Sequence, residues 1–188
     1  MNVKLLVISA PSGAGKTTIT RRLLEKNPDW KFSVSATTRL KRPNEINGRD
    51  YYFLSIEEFN NKILEGDFIE YEEVFGNYYG TLNSEINRIL TINEKSIIIF
   101  DIDVKGALSI KKAFPENSIL IFITVPSINK LKERLFNRQT ESKEIISKRI
   151  NRAEMELKEM NKFDFIVLND VVERAVSEIE ALIVKSDL

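Results

Sequence analysis

K-L-L-V-I-S-A-P-S-G-A-G-K-T-T (residues 4–18) begins as an apolar strand, passes through a glycine-bearing turn and enters a helix. Glycines at 13 and 15 let backbone N–H groups turn toward an anion without interference from a Cβ, and the following helix adds the positive end of its dipole. Lys16 can reach terminal phosphates, and the Thr17 hydroxyl can ligate Mg²⁺. The pattern G-x-x-x-x-G-K-[ST] is met everywhere except at its first position, where Ala10 stands. The strand before and the helix after supply the missing context. They make the run Ala10, Pro11, Ser12, Gly13, Ala14, Gly15, Lys16, Thr17 a phosphate cradle rather than a glycine turn with a stray lysine.

Outward from the cradle, composition limits the chemistry. The 188 residues suffice for one substantial core and fall short of two ordinary domains. There is no cysteine, which excludes disulfides and thiolate catalysis, and no histidine, so chemistry must run on carboxylates, lysines, arginines and hydroxyls. Phosphoryl transfer suits that inventory, because it is driven by positioning and charge neutralisation. With 28 basic and 28 acidic residues, no global field draws the chain to nucleic acid. The longest apolar runs, 96–100 and 119–125, are far below membrane-spanning length. The chain enters a strand within a few residues without a basic region followed by a cleavable apolar segment, so secretion is not expected. A cytoplasmic location is the expectation.

Along the chain, 17–26 has helical spacing at Ile19, Leu23 and Leu24 before Asn27-Pro28 stops it. Residues 30–35 alternate and read as a second strand. A polar loop follows, carrying Arg39, Lys41, Arg42 and Arg49 with Tyr51 and Tyr52. Ser55 and Glu58 form a capping box for a helix that Gly66 ends. Residues 68–74 read as a strand containing Glu70, followed by a turn at Gly76-Asn77 and the run Tyr78-Tyr79-Gly80-Thr81. A short helix spans 83–92, and the apolar strand 96–100 ends in Asp101-Ile102-Asp103. Carboxylates at the C-terminal end of a buried parallel strand lie where an open α/β sheet presents ligands, and Asp101 is the expected metal-organising partner of the cradle. Helix 104–113, strand 118–125, a helix opened by Pro126-Ser127, a long helix from 143 to about 160, strand 165–168 and a last helix capped by Asp170 and Glu173 complete the chain. The alternation predicts a parallel α/β sheet whose first crossover is opened by the cradle.

The motifs S-A-P-S-G-A-G-K-T, S-A-T-T-R-x-x-R-P, N-G-x-D-Y, G-N-Y-Y-G-T and D-I-D-x-x-G, with the arginine-bearing segment 134–149, occur in one order over nearly the whole chain. In this combination the chain closely resembles the guanylate kinases. The resemblance implies a single three-layer P-loop kinase domain over 1–188 with a parallel sheet core. It also implies transfer of the γ-phosphoryl group of ATP to GMP, and to dGMP, with Mg²⁺, in purine metabolism. The core would comprise about 1–34, 83–126 and 157–188, with a GMP-binding region at about 35–82 and a mobile lid at about 127–156. By the same resemblance, Ser35, Arg39, Arg42, Tyr51 and Tyr79 hold the GMP phosphate, while Glu70, Thr81 and Asp103 read guanine. Lys16, Arg134, Arg138 and Arg149 surround the transferring phosphoryl group, Thr17 and Asp101 serve the metal, and Asn169 lies near adenine. The implied partners are small molecules, with no nucleic acid and no membrane, and the protein acts as a monomer or homodimer.

Base chemistry agrees with that assignment. Guanine presents N1–H and its N2 amine side by side, so a carboxylate such as Glu70 can accept from both, and a hydroxyl such as Thr81 can donate to O6. Adenine presents an acceptor at N1 instead. Asn137 and Gln139 replace the glycines usual around Arg138, and Val171 replaces a second aspartate after Asp170. Two rival readings remain open at this point. A related kinase acting on a ribose bisphosphate would need no guanine reader, and a silent phosphopeptide-binding module would not need Lys16, Thr17 and Asp101.

Overall fold

The computed structural model describes residues 4–92, 97–136 and 143–185. The chain runs β1 (Lys4–Ser9), α1 (Lys16–Lys26), β2 (Lys31–Phe32), β3 (Ala36–Thr37), β4 (Tyr52–Phe53), α2 (Ile56–Leu64), β5 (Phe68–Val74) and β6 (Asn77–Leu82). It continues through α3 (Asn83–Ile92), β7 (Ile97–Asp101), α4 (Val104–Ala113), β8 (Ser118–Thr124) and α5 (Ile128–Phe136). It closes with α6 (Lys143–Lys158), a 3₁₀ turn (Met160–Lys162), β9 (Phe165–Leu168) and α7 (Val172–Lys185).

Five strands form a parallel sheet in the order β2-β7-β1-β8-β9. Successive side chains point to opposite faces, and both faces are covered, which is why the middles of the central strands are apolar on both faces. Leu6, Ile8, Ile121 and Ile123 pack under α1, α5, α6 and α7, while Leu5, Val7, Phe100, Leu120 and Phe122 pack under α3 and α4. This is the three-layer arrangement expected from the alternation of strands and helices.

The second sheet, β4-β3-β6-β5, was not legible as a sheet. Its β3 and β4 are two-residue strands inside the stretch read as a polar loop, and β6 occupies the stretch read as a turn and the run Tyr78-Tyr79-Gly80-Thr81. It has its own small core, in which the Phe59 ring stacks on Phe68 at 4.4 Å and on Tyr78 at 5.4 Å. Its hairpin turns on Phe75 and Gly76, with φ of 52° and 78°. A two-residue loop with positive φ at both positions matches the twist of the strands, yet a phenylalanine there costs about 1–2 kcal/mol.

The second core strand is shorter than the alternation at 30–35 predicts. Ser33 N–H still donates to Ile99 O, but Val34 N–H donates to the Glu85 carboxylate at 3.0 Å, so the chain leaves the sheet there. Glu85, 1% exposed, also accepts from Tyr52 Oη at 2.9 Å and from two nitrogens of Arg88 at 2.9 Å. One carboxylate thus ties β2, the smaller sheet and α3 together. Burial alone would raise its pKa, but the bonds from Arg88, Val34 and Tyr52 outweigh that and hold it below the usual range. Its stabilisation is therefore complete above pH 4.5, its unfolded value, and is lost as pH falls through the depressed one. Glu85→Ala strands the buried Val34 N–H and is expected to lower stability by about 3 kcal/mol. Thermal unfolding would then show a fall in Tm of about 6–12 °C.

The capping reading holds at α2, where Ser55 and Glu58 bond reciprocally. It fails at α7. Asp170 accepts from its neighbour Val171 N–H and from Arg174 Nε, while Glu173 turns away to Arg22 of α1 at 2.8 Å. The tertiary ion pair takes the side chain that a local box would have used.

Candidate functional site

The turn after β1 is shaped by two left-handed glycines, Gly13 at φ 90° and Gly15 at φ 95°. Gly15 caps α1 without any side-chain bond, leaving the first-turn N–H groups of the helix directed at an anion. A Cβ on Gly15 would also lie 2.4 Å from Asn169 Nδ2. That amide, from the end of β9, donates to Ala14 O at 2.6 Å and braces the turn from behind.

Beside the turn, Lys16 Nζ lies 2.8 Å from Asp101 Oδ1 and donates to Ile102 O at 2.6 Å. Thr17 Oγ1 donates to Asp101 Oδ2 at 3.2 Å. The parallel pairing of β1 with β7 brings these residues together across more than eighty positions, because both strands end on the same edge of the sheet. A hydroxyl and a carboxylate next to an anion nest are hard oxygen donors of the kind Mg²⁺ takes, and that ion uses few protein ligands when phosphates and water supply the rest. Among the described residues no cluster of three or more acidic side chains offers an alternative metal site.

Three connected cavities surround this point. The first, about 300 Å³, lies between the nest and Val74, Phe75, Tyr79, Asp103, Arg149, Arg152 and Glu156. The second, about 250 Å³, is lined by Lys16, Thr17, Ser35, Tyr51, Glu70, Tyr79, Asp101 and Asp103. The third, about 840 Å³, includes Ser35, Arg39, Arg42, Arg49, Tyr51, Tyr79 and Asp101. The shared residues Thr17 and Tyr79 make the three one cleft between the two sheets.

Glu70 is the acidic centre of the second cavity and only 8% exposed. Burial, with the nearby charges of Asp103 and Glu72, pushes its pKa up to about 7 against the opposing bonds from Thr81. Thr81 Oγ1 donates its single proton to Glu70 Oε1 at 2.6 Å. The hydroxyl expected to donate to a base is therefore engaged in orienting the carboxylate. The glycine of D-I-D-x-x-G has a reason here, since a Cβ on Gly106 would sit 2.7 Å from Glu70 Oε2 and 3.3 Å from Asp103 Oδ1. Asp103 caps α4 by accepting from Gly106 N–H and also pairs with Arg152 at 2.8 Å.

In the third cavity Arg39 donates to Glu45 Oε1 and to Leu40 O, each at 2.7 Å, and its guanidinium lies 5.4 Å from the centre of the Tyr51 ring. The more exposed Arg42 is 4.0 Å from the same Glu45. Burial, together with Asp101, pushes the Tyr51 phenol up to about 12, so it remains a donor at neutral pH. The structure brings Ser35, Arg39, Arg42, Tyr51 and Tyr79 around one space.

Arg149 lines the first cavity. Arg134 stands on the far side of the nest, donating to Ala14 O at 3.3 Å and to Asn169 O at 3.2 Å. Arg138 lies outside the described residues. Sequence reasoning overlooked Glu45, Glu156 and the part played by Arg152. The Arg152–Glu156 spacing was readable as a helical ion pair, but the approach of Arg152 to Asp103 has no local signature.

Residues 2–186 match the family model described as guanylate kinase. The guanylate kinase of Porphyromonas gingivalis is 48% identical over 182 residues, covering 96% of this chain and 96% of that relative. That of Chlorobium luteolum is 46% identical over 176 residues, covering 94% of this chain and 88% of the relative. The crystal structure of guanylate kinase from Anaplasma phagocytophilum superposes with a TM-score of 0.79 at 29% identity, covering 97% of this chain and 85% of that one. Shikimate kinase from Bacteroides thetaiotaomicron, at TM-score 0.51 and 15% identity, covers 96% and 98% of the two chains and shares the fold alone.

Proposed function

The chain belongs to the guanylate kinase family, and from that membership we infer how its residues divide the work of moving the γ-phosphoryl group of ATP to GMP. The products are ADP and GDP. The observation that carries the reading is Glu70, a buried carboxylate held by Thr81 in a cavity that opens onto the nest through Lys16 and Thr17. Adjacent N1–H and N2–H donors fit such an acceptor, and an adenine edge does not.

Backbone N–H groups at Gly13–Thr17 bind the ATP phosphates, with Asn169 and Arg134 bracing the turn near the adenine. Ser35, Arg39, Arg42, Tyr51 and Tyr79 hold the GMP phosphate so that its oxygen lies in line with the γ-phosphorus. Lys16, Arg149 and Arg138 oppose the charge that develops during transfer, while Arg134, which the resemblance also put there, is engaged with Ala14 O and Asn169 O on the far side of the nest. Thr17 and Asp101 would hold Mg²⁺, which when bound neutralises phosphate charge. No zinc-type or thiolate chemistry is needed.

Residues 35–82 form the GMP-binding region, and its separate Phe59 core supports movement of that region as a unit over the cleft. Residues from about 127 to 156 act as the lid. No helix among the described residues is long and apolar enough to cross a membrane. A cytoplasmic location, beside free nucleotides, and action as a monomer or homodimer complete the proposal. Steady-state phosphorylation of GMP, dGMP, AMP and UMP by ATP and Mg²⁺ tests it. GMP and dGMP are expected to turn over rapidly, and equal use of AMP or UMP would refute the base-reading site.

A pH effect follows from Glu70. Guanine donors favour the ionised carboxylate, so GMP binding pulls the pKa of about 7 downward and releases a proton near neutrality. Affinity is expected to weaken as pH falls below about 7, to the extent that the site must first lose a proton. Calorimetry in buffers of differing ionisation enthalpy would register that release in the wild type. Its absence would mean that Glu70 does not meet the base.

A further inference from the structure

We propose that Arg152, from α6, is a specificity-positioning residue that holds Asp103 ready to accept the second N2–H of guanine. The proposal rests on the GMP-kinase reading and assigns a role to a side chain that the family resemblance left unassigned. Arg152 Nη2 donates to Asp103 Oδ2 at 2.8 Å, and its Nε donates to Glu156 Oε1 at 2.8 Å. Its guanidinium lies 5.6 Å from the ring centre of Phe75, the residue held at positive φ in the β5–β6 turn. Three elements thus meet on one cation: α6, the start of α4 and the tip of the smaller sheet's hairpin.

The fork of Arg152 is occupied by two carboxylates, a geometry that fixes orientation rather than leaving a cation available for phosphate. Asp103 accepts from Gly106 N–H through Oδ1 at 2.8 Å and from Arg152 through Oδ2, and each oxygen retains a second acceptor position. Its side chain cannot swing away from the cavity without breaking both bonds. Glu70 and Asp103 face the same space across Gly106, so Glu70 can take N1–H with one N2–H while Asp103 takes the other. The exposed Phe75 ring then has a use: it backs Arg152 from the solvent side, at a turn where asparagine or glycine would be easier to accommodate.

The test compares GMP with IMP, which lacks the N2 amine. Wild-type turnover of GMP is measured first, and its absence would refute the kinase reading itself. With GMP turned over, Arg152→Gln is expected to lower the GMP/IMP ratio of kcat/KM by about tenfold, mainly through KM for GMP, with KM for ATP unchanged. In an Asp103→Asn background the same substitution should change the ratio by less than about twofold. Arg152→Lys, which keeps the charge without the fork, should fall between. Phe75→Gly relieves the turn and so is not at risk of unfolding, and it should narrow the ratio in the same direction. Equal losses for GMP and IMP, an Arg152→Gln effect that persists without the Asp103 carboxylate, or an unchanged ratio in Phe75→Gly would each overturn the assignment while leaving the kinase reading intact.

Discussion

Replacing Lys16 with alanine is expected to reduce turnover by about 10³-fold while leaving GMP affinity within about threefold of wild type. Lys16 opens α1 at the nest and contacts Asp101 and Ile102 O, so its cation belongs to the donor side of the cleft. Its pairing with Asp101 also keeps that carboxylate neutralised until phosphates arrive. Loss of the ammonium removes a preorganised charge from the transferring group in a site where no histidine can substitute. Lys16→Met, which retains the apolar stem lining the base cavity, should behave alike. Steady-state rates and GMP calorimetry on both variants decide the matter. A parallel loss of GMP affinity would assign Lys16 to the acceptor instead.

Glu70→Gln should lower the preference for GMP over AMP by about 10² or more, since two bonds to a charged acceptor are worth roughly 1.5–3 kcal/mol each. A glutamine amide keeps one acceptor and turns a donor toward guanine N–H. Stability should move the other way. The folded pKa of about 7 lies above the ordinary value of 4.5, so ionising Glu70 weakens the free protein as pH rises through that window. At pH 8 the glutamine variant is therefore expected to unfold at a temperature no lower than wild type, while its GMP proton release disappears. Selectivity that survives the substitution would place the guanine reader elsewhere.

Much of the site was legible because its parts are local. The nest depends on glycines two residues apart before a helix, and the positive φ angles at Gly13 and Gly15 follow from that spacing. Strand ends were readable where an apolar run meets a carboxylate, as at Asp101. The smaller sheet was hidden because its strands β3 and β4 are two residues long and owe their pairing to β6 and to each other rather than to any periodicity of their own. Thr81 shows the same limit at the scale of one atom. Its hydroxyl was read as a donor to the base, but which acceptor receives its proton depends on the Glu70 oxygen 2.6 Å away across the hairpin.

By itself the amino-acid sequence determined the anion nest, the parallel alternation of strands and helices, and the exclusion of histidine and cysteine chemistry, since each follows from residue type and short-range spacing. Only the tertiary structure decided which partner each charge meets: Arg152 with Asp103, Glu173 with Arg22 rather than its own helix, and Glu85 with the backbone N–H of Val34. Those partners lie between 49 and 151 positions apart in the chain. A charged side chain has no preferred partner until the packing of sheets and helices removes water from around it and leaves one counter-charge within reach.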